Sequence, residues 1–589
     1  MVPPIIQAMR SSTYTVRYSR RWTGHPLLYI SGAMASLGDA LFGYSQGVTA
    51  AFQVQPNFIH RMYGKVTTIE EIRMRKTEVN PLLPAIMVAC LNITALFAAL
   101  GSAYLSDYLG RRISMRIGAF IYVIASIIQM FATDFATLMV GRMIQGLGTG
   151  ILSTTVPIYQ CEIAPANRRG MFISLESLWM NAGYALSSWI GYAFFFDKPA
   201  EGSWRGPYAV QLLISLILFV GTFYLPETAR WLIQNGFKTE GLWTLADLHA
   251  KGDVTDESVN RTYYEIVDTL ELEKRNGVTA PWRDLFKEYT RRTIIGWTAQ
   301  MFAQLNGINA LLHFLPETLT HAGFSVPQAL FYSSICSFFY LAGTVPAILY
   351  VDKLGRRRFL LVGSVALAAS LTVVGSLKLY IERWPDKISV MGGAHGVVVG
   401  MSVYFFFFAC TWGPIPWLLS AELFPLKVRA KGMAITTVSD WLFEFLVAFW
   451  TPPLFEILRG AYYFLLVGCC IISGLLVWFV FVETGTETLE EIGGVFGDET
   501  APPRVLDEDD LILNLRRRRA RGHSTLSMGS QLTTLTEMAA ASEFTLHNAD
   551  QGGTFLHPHN DRAGTSQMTL TSVVEEEKPK DQVESEKDV

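Results

Sequence analysis

Twelve mostly apolar stretches run along the chain, near 27–51, 82–106, 114–132, 136–156, 172–195, 207–225, 292–315, 328–351, 359–380, 393–420, 433–455 and 461–482. A helix needs about 20 such residues to cross a bilayer, so each stretch predicts one membrane-spanning helix. The polar segments between them differ in charge. Short loops at 107–113, 163–170, 352–358 and 427–431 are rich in Lys and Arg. Basic loops stay on the cytoplasmic side. Together with Arg10, Arg17, Arg20 and Arg21, they predict that both termini lie inside. The segment 53–80 falls outside on this count, although it carries Arg61, Lys65, Arg73, Arg75 and Lys76; Glu70, Glu71 and Glu78 offset them in part.

Two long polar segments do not read as spans. Residues 226–291 are mixed and charged, with helical periodicity in YYEIVDTLELEKR. Residues 484–589 are rich in Ser, Thr and charge, a composition that cannot bury a core and predicts disorder. The expected organisation is a cytoplasmic tail at 1–26, a six-helix bundle at 27–225, a linker with short helices at 226–291, a second six-helix bundle at 292–483, and a cytoplasmic tail at 484–589. The fold class is therefore all-α, a membrane protein of twelve transmembrane helices in two bundles.

Composition supports the membrane reading. Half of the 589 residues are hydrophobic and 17% are charged, against about 25% charged in soluble domains. The net charge of −3 offers no general attraction to nucleic acid. The cysteines form no C-x-x-C pair, so neither a disulfide framework nor a metal site is expected. There is no phosphate-binding loop and no nucleophile elbow. The sequence thus predicts no enzyme and no cofactor.

The polar motifs repeat. DYLGRR at 107–112 is matched by DKLGRR at 352–357, EIAPANRR at 162–169 by ELFPLKVR at 422–429, and PET at 226–228 by VET at 482–484. Each offset is close to the length of six spans plus the linker. The chain therefore reads as two similar bundles, an architecture in which transporters hold their substrate near the midplane between the halves.

With GRMIQGLGTG, PETARWL, QLNGIN, GPIPW and ETGTETLEEI added, the chain resembles the major facilitator superfamily, and within it the sugar porter family, over about residues 27–492. The resemblance implies the pseudo-symmetric major facilitator fold and alternating-access transport of a sugar or related carbohydrate. The partners are then a small-molecule sugar, the lipid bilayer and, if transport is coupled, protons, with the chain working as a monomer. It implies a cytoplasmic gate of carboxylates and arginines: Arg111, Arg112, Glu162, Arg169, Glu227 and Arg230 in the first half, and Arg356, Arg357, Glu422, Arg429 and Glu483 in the second. Arginine and carboxylate can pair bidentately; arginines alone would serve topology.

Sugar hydroxyls need amide and hydroxyl partners. The resemblance gives that role to Gln304 and Asn309, with Trp417 and Trp441 as pocket tryptophans. Other pocket positions depart from the family pattern. Ser177 stands where a glutamine is usual, Tyr340 where an asparagine is usual, and His313-Phe314 where two tyrosines are usual, while Thr344 matches. Asp440 and Glu444 replace two asparagines. Proton-coupled relatives carry an acid where this chain has Ser45, yet the partner arginine, Arg142, is kept. Transport is then either facilitated or coupled through another acid, with Asp39, Asp440 and Glu444 as candidates, since carboxylates within a membrane are costly and usually functional. A non-transporting sugar receptor of the same fold is the alternative. The expected location is the plasma membrane.

Overall fold

The computed structural model describes residues 22–64, 82–165, 168–196, 201–275, 282–384, 387–425, 428–483 and 496. The expectations for residues 1–21, for the basic residues of 65–76 and for the tail beyond 483, Phe496 excepted, lie outside the described residues. So does the side chain of Arg169.

In the first half, α1 spans His25–Phe52, a short α2 follows at Pro56–Tyr63, and then α3 Leu82–Leu109, α4 Arg111–Met130, α5 Phe135–Ile163, α6 Arg169–Phe195 and α7 Gly202–Gly221. Four short helices occupy the linker: α8 Ala229–Gln234, α9 Lys238–His249, α10 Glu257–Arg275 and α11 Trp282–Lys287. The second half holds α12 Thr290–Leu305, α13 Ile308–His321, α14 Val326–Leu354, α15 Arg356–Arg383, α16 Lys387–Cys410, α17 Pro414–Glu422, α18 Arg429–Leu458 and α19 Tyr462–Val480.

The twelve apolar stretches map onto these helices, with two differences. The stretch 292–315 is not one helix but α12 and α13, parted at Asn306 and Gly307. Gly307 takes φ 101°, a left-handed conformation that suits glycine. The stretch 393–420 is α16 and α17, parted before Pro414 and Pro416. Proline at the start of a helix is tolerated, whereas in the interior it removes a hydrogen bond.

Among the described residues, eight segments are long and apolar enough to cross a membrane by composition alone, the last running from Arg429 to Val480 through α18 and α19 and so holding two spans. The spans that fall short are α1, α6 and the α12–α13 pair. Each spends core positions on polar residues: Asp39 and Gln46 in α1, Glu176 and Asn181 in α6, Gln304 and Asn309 in the broken pair are all buried. The weakest membrane signals therefore mark the helices that line the interior.

The two halves meet along two seams, α3 against α18 and α6 against α14. These joints are related by the repeat: α3 corresponds to α14 and α18 to α6, so the repeat turns one joint into the other. Trp441 fills the first seam with Leu91, Ala95 and Ala99. The linker has its own small core, with Ile233, Leu242, Leu245, Tyr263 and Ile266 buried together. The main-chain N–H of Gly24 donates to the Asp247 carbonyl at 2.7 Å, tying α9 to the start of α1.

Candidate gate and substrate cavity

The repeated motifs build the same arrangement twice, at the end of the molecule that carries the basic loops. In the first half, the Arg111 guanidinium lies 3.0 Å from the Glu162 carboxylate, both fully buried. The other Glu162 oxygen accepts the Thr228 hydroxyl at 2.6 Å. The Glu227 carboxylate accepts the main-chain amides of Arg111 at 3.0 Å and Arg112 at 3.1 Å. In the second half, Arg356 lies 3.0 Å from Glu422. Glu483 accepts the amides of Arg356 at 2.8 Å and Arg357 at 3.1 Å.

Glu227 and Glu483 thus sit at the N-termini of α4 and α15, where free amides and the helix dipole favour a negative charge. The glycine of each LGRR motif is what permits this. Gly110 and Gly355 take φ 92° and 84°, and a Cβ on either would strike the facing carboxylate. Burial pushes the Glu227 carboxyl above its usual range, against the opposing pull of the Thr228 amide and of Arg112 and Arg111.

The remaining gate arginines use main-chain oxygens. Arg112 donates to the Leu225 carbonyl at 3.4 Å, Arg230 to that of Glu162 at 3.1 Å, and Arg357 to those of Val477 and Trp478. At this end, the Arg429–Glu162 pair and the cap on α6 cross between the halves. Arg429 lies 3.7 Å from Glu162. The Asp352 carboxylate accepts the amides of Gly170 at 3.0 Å and Met171 at 2.9 Å, at the start of α6. The motif acid of the second half therefore caps a helix of the first, a role that the pattern D-x-L-G-R-R did not announce.

Between the halves lies a cavity. Its lining includes six residues named from the sequence as binding positions, Ser177, Gln304, Asn309, Trp417, Trp441 and Glu444, together with Asp39 and Asp440 from the coupling set. The helix break explains how Gln304 and Asn309 meet. They stand on opposite sides of Gly307, and the Asn309 amide donates to the Gln304 carbonyl oxygen at 2.5 Å. Gln304 in turn donates to Asp440 at 2.6 Å. Trp441 donates to the Ser153 hydroxyl at 3.2 Å, linking α18 to α5. Its ring meets Phe42 edge-on, with centroids 5.1 Å apart.

The other named residues lie outside this lining. His313 sits behind Glu444, 3.7 Å from its carboxylate. Thr344 donates to the Leu341 carbonyl within its own helix at 2.6 Å. Arg142 is buried and donates to the Met87 carbonyl at 2.6 Å and the Thr49 hydroxyl at 2.8 Å. Among the described residues no carboxylate lies within ion-pair distance of it.

Sequence reasoning missed two side chains. Glu176, beside Ser177, is a fourth buried carboxylate on the cavity wall. Gln46, beside Ser45, donates across the halves to Asn309 at 2.9 Å and to Glu444 at 3.5 Å. The available signal was a charged or amide residue inside an apolar span, which is uncommon enough to be flagged by itself.

The fold agrees with known proteins. A family model described as "Sugar (and other) transporter" matches residues 32–496. The chain is 32% identical to the high-affinity glucose transporter of Kluyveromyces lactis over 407 residues, 67% of this chain and 74% of that one. It is 30% identical to hexose transporter HXT13 of Saccharomyces cerevisiae over 81% of this chain and 84% of that one. It is 28% identical to the MFS-type transporter criB of Aspergillus cristatus, over 83% and 97% respectively. Among solved structures, the proton:xylose symporter XylE bound to 6-bromo-6-deoxy-D-glucose superposes with a TM-score of 0.68 at 24% identity, covering 80% of this chain and 98% of that one. The inward-open form of XylE from E. coli gives 0.59 at 22% identity, covering 80% and 99%. The fold is thus the major facilitator fold of twelve transmembrane helices in two six-helix bundles, and the chain belongs to the sugar transporter family.

Proposed function

We infer that the protein carries a sugar-class solute across a membrane by alternating access, with substrate held between the halves and released by parting the Arg–Glu pairs. The observation that carries this reading is the cavity lined from both halves, with Arg429–Glu162 and Asp352–α6 bridging them at one end. Cross-half pairs favour the state in which that end is closed, and a solute that binds both states unequally shifts the population. The family relatives named for glucose and hexose support a sugar as the solute. The basic loops make the bridged end cytoplasmic, with both termini on that side and the plasma membrane as location. The chain acts as a monomer, and its tail beyond 500 is dispensable for transport itself.

Coupling is the open choice between two mechanisms. Serine at position 45 cannot carry a proton, and Arg142 satisfies itself on neutral oxygens. Uniport follows unless Asp39, Asp440 or Glu444 takes the proton instead. Uptake of labelled hexose by proteoliposomes, with and without a pH gradient, tests both points. Saturable entry confirms a carrier, and accumulation driven by the gradient identifies symport. Sugar binding without entry would replace the carrier by a receptor.

A further inference from the structure

We propose that the cavity is built for a sugar-like solute bearing a protonated amine, of which a hexosamine is the simplest example. The proposal rests on the reading of the chain as a sugar carrier and narrows its substrate class.

The first observation is charge. Asp39 and Glu176 line the cavity from the first half, Asp440 and Glu444 from the second, and among the described residues no lysine or arginine lines it. Arg142 spends its donors elsewhere. His313 is one ring beside Glu444, set against four carboxylates. Buried charges in proteins are paired or ligated as a rule. Four acids sharing one cavity without a lining cation leave the position of the cation to the ligand.

The second observation is which hydrogen-bonding groups are left over. Asp39 Oδ2, Glu176 Oε2 and Glu444 Oε2 have no partner among the described residues, and all three side chains are more than nine-tenths buried. These are acceptors. Most nitrogen donors of the wall are already engaged among the described residues, the Trp417 indole being left over. Gln304 donates to Asp440, Asn309 to Gln304, Asn181 to the Tyr340 carbonyl, and Trp441 to Ser153. Trp412 donates to the Leu360 carbonyl and the Ser364 hydroxyl. An ammonium group supplies three donors and no acceptor, which complements such a wall.

The third observation is the aromatic lining. Phe42, Tyr340, Phe408, Trp412, Trp417 and Trp441 surround the same space. Aromatic faces attract cations, most strongly when water is excluded, and they also stack on the apolar face of a sugar ring. A hexosamine presents both features. Acetylating its nitrogen keeps the ring and removes the charge, so N-acetylglucosamine is the matched control. The competing account of the same acids is that they hold protons, which would suit a neutral sugar.

The test uses the purified full-length protein in liposomes at about pH 6, below the pKa of an amino group. Uptake of labelled glucosamine, glucose and N-acetylglucosamine is compared with and without a proton gradient, and binding of each is followed by thermal shift. We expect glucosamine to enter at least tenfold faster than either neutral sugar, and Glu176→Gln or Glu444→Gln to lower that selectivity ratio about tenfold. Neutral sugar entering as fast as glucosamine overturns the proposal and leaves the sugar carrier standing; proton inflow with it assigns the acids to protons. Glucosamine binding that Glu444→Gln abolishes, without entry of any sugar, keeps the cationic ligand and removes the carrier. Absence of binding and entry for all three sugars removes both.

Discussion

At the basic-loop end, Glu162 and Glu422 each lie 3.0 Å from an arginine, and Glu227 and Glu483 each cap a helix N-terminus. In the cavity, Asp39, Glu176 and Glu444 each keep an oxygen with no hydrogen-bond partner among the described residues. Glu162, Glu227 and Glu422 are as buried as the cavity acids, with Glu483 alone exposed, so burial alone does not decide what a carboxylate does. At the gate, attraction between fixed groups offsets desolvation and holds helix ends in place. In the cavity, the cost is left uncompensated within the protein, which is how a site keeps binding capacity for something that arrives later. Holding the helix ends and holding the solute are thereby assigned to different acids.

The largest test of this contrast is Arg111→Ala. It leaves Glu162 buried without its nearest guanidinium, and breaking a buried pair costs about 3–5 kcal/mol. We expect most of the variant to be lost as monodisperse protein in detergent gel filtration, with Glu162→Gln on top of it restoring part. Glu444→Gln should leave the melting temperature unchanged or raised, because it replaces a buried carboxyl that keeps one oxygen without a partner among the described residues.

A pH scan gives the next effect. His249 in α9 has its imidazole pushed down to about 4 by burial, with Arg230 and His25 adding to it. Unfolded, it titrates near 6.5, so the unfolded chain takes up a proton that the folded chain refuses. The stability this contributes is complete above pH 6.5 and is lost as pH falls toward 4. We expect about 2 kcal/mol of loss over that window, after allowance for partial exposure, and a flatter profile for His249→Phe in thermal unfolding.

Smaller again is Gly355→Ala. At φ 84° and facing Glu483, alanine should cost more than about 1 kcal/mol, read as a lower melting temperature. Gly468→Ala is the control, since a Cβ there meets nothing and alanine favours a helix by about 1 kcal/mol. The smallest effect belongs to Trp441→Phe. It keeps the ring packed in its seam and loses the Ser153 bond, worth about 1 kcal/mol. A loss there equal to that of Arg111→Ala would erase the distinction between gate and cavity.

Much of this was legible before any coordinates. Apolar runs located the spans because each is about as long as the bilayer's hydrocarbon core is thick, and the repeated motifs named the residues that the fold brings together as Arg–Glu pairs in each half. The break at Gly307 was not read from the sequence, because a glycine within a span also serves close helix packing, and its neighbours Gln304 and Asn309 were read as ligand contacts rather than as marks of a break. Glu176 escaped notice because its neighbour Ser177 held the family position, and helix phase does not tell two adjacent residues apart at a seam. Gln46 escaped because its partner Asn309 lies 263 residues away. The seating of Asp352 on the start of α6 escaped for the same reason: an acid in a basic loop does not show which half it will cap.

The separation of gate from cavity is tested most directly at Arg429, which touches Glu162 across the halves and lies outside the cavity lining. Sugar binding and sugar uptake are measured on one preparation of Arg429→Ala in liposomes. The account predicts affinity within about twofold of wild type and uptake reduced at least tenfold, because the pair biases the conformational equilibrium rather than holding the solute. Binding and uptake falling in equal proportion, in protein that is folded and inserted, would contradict it.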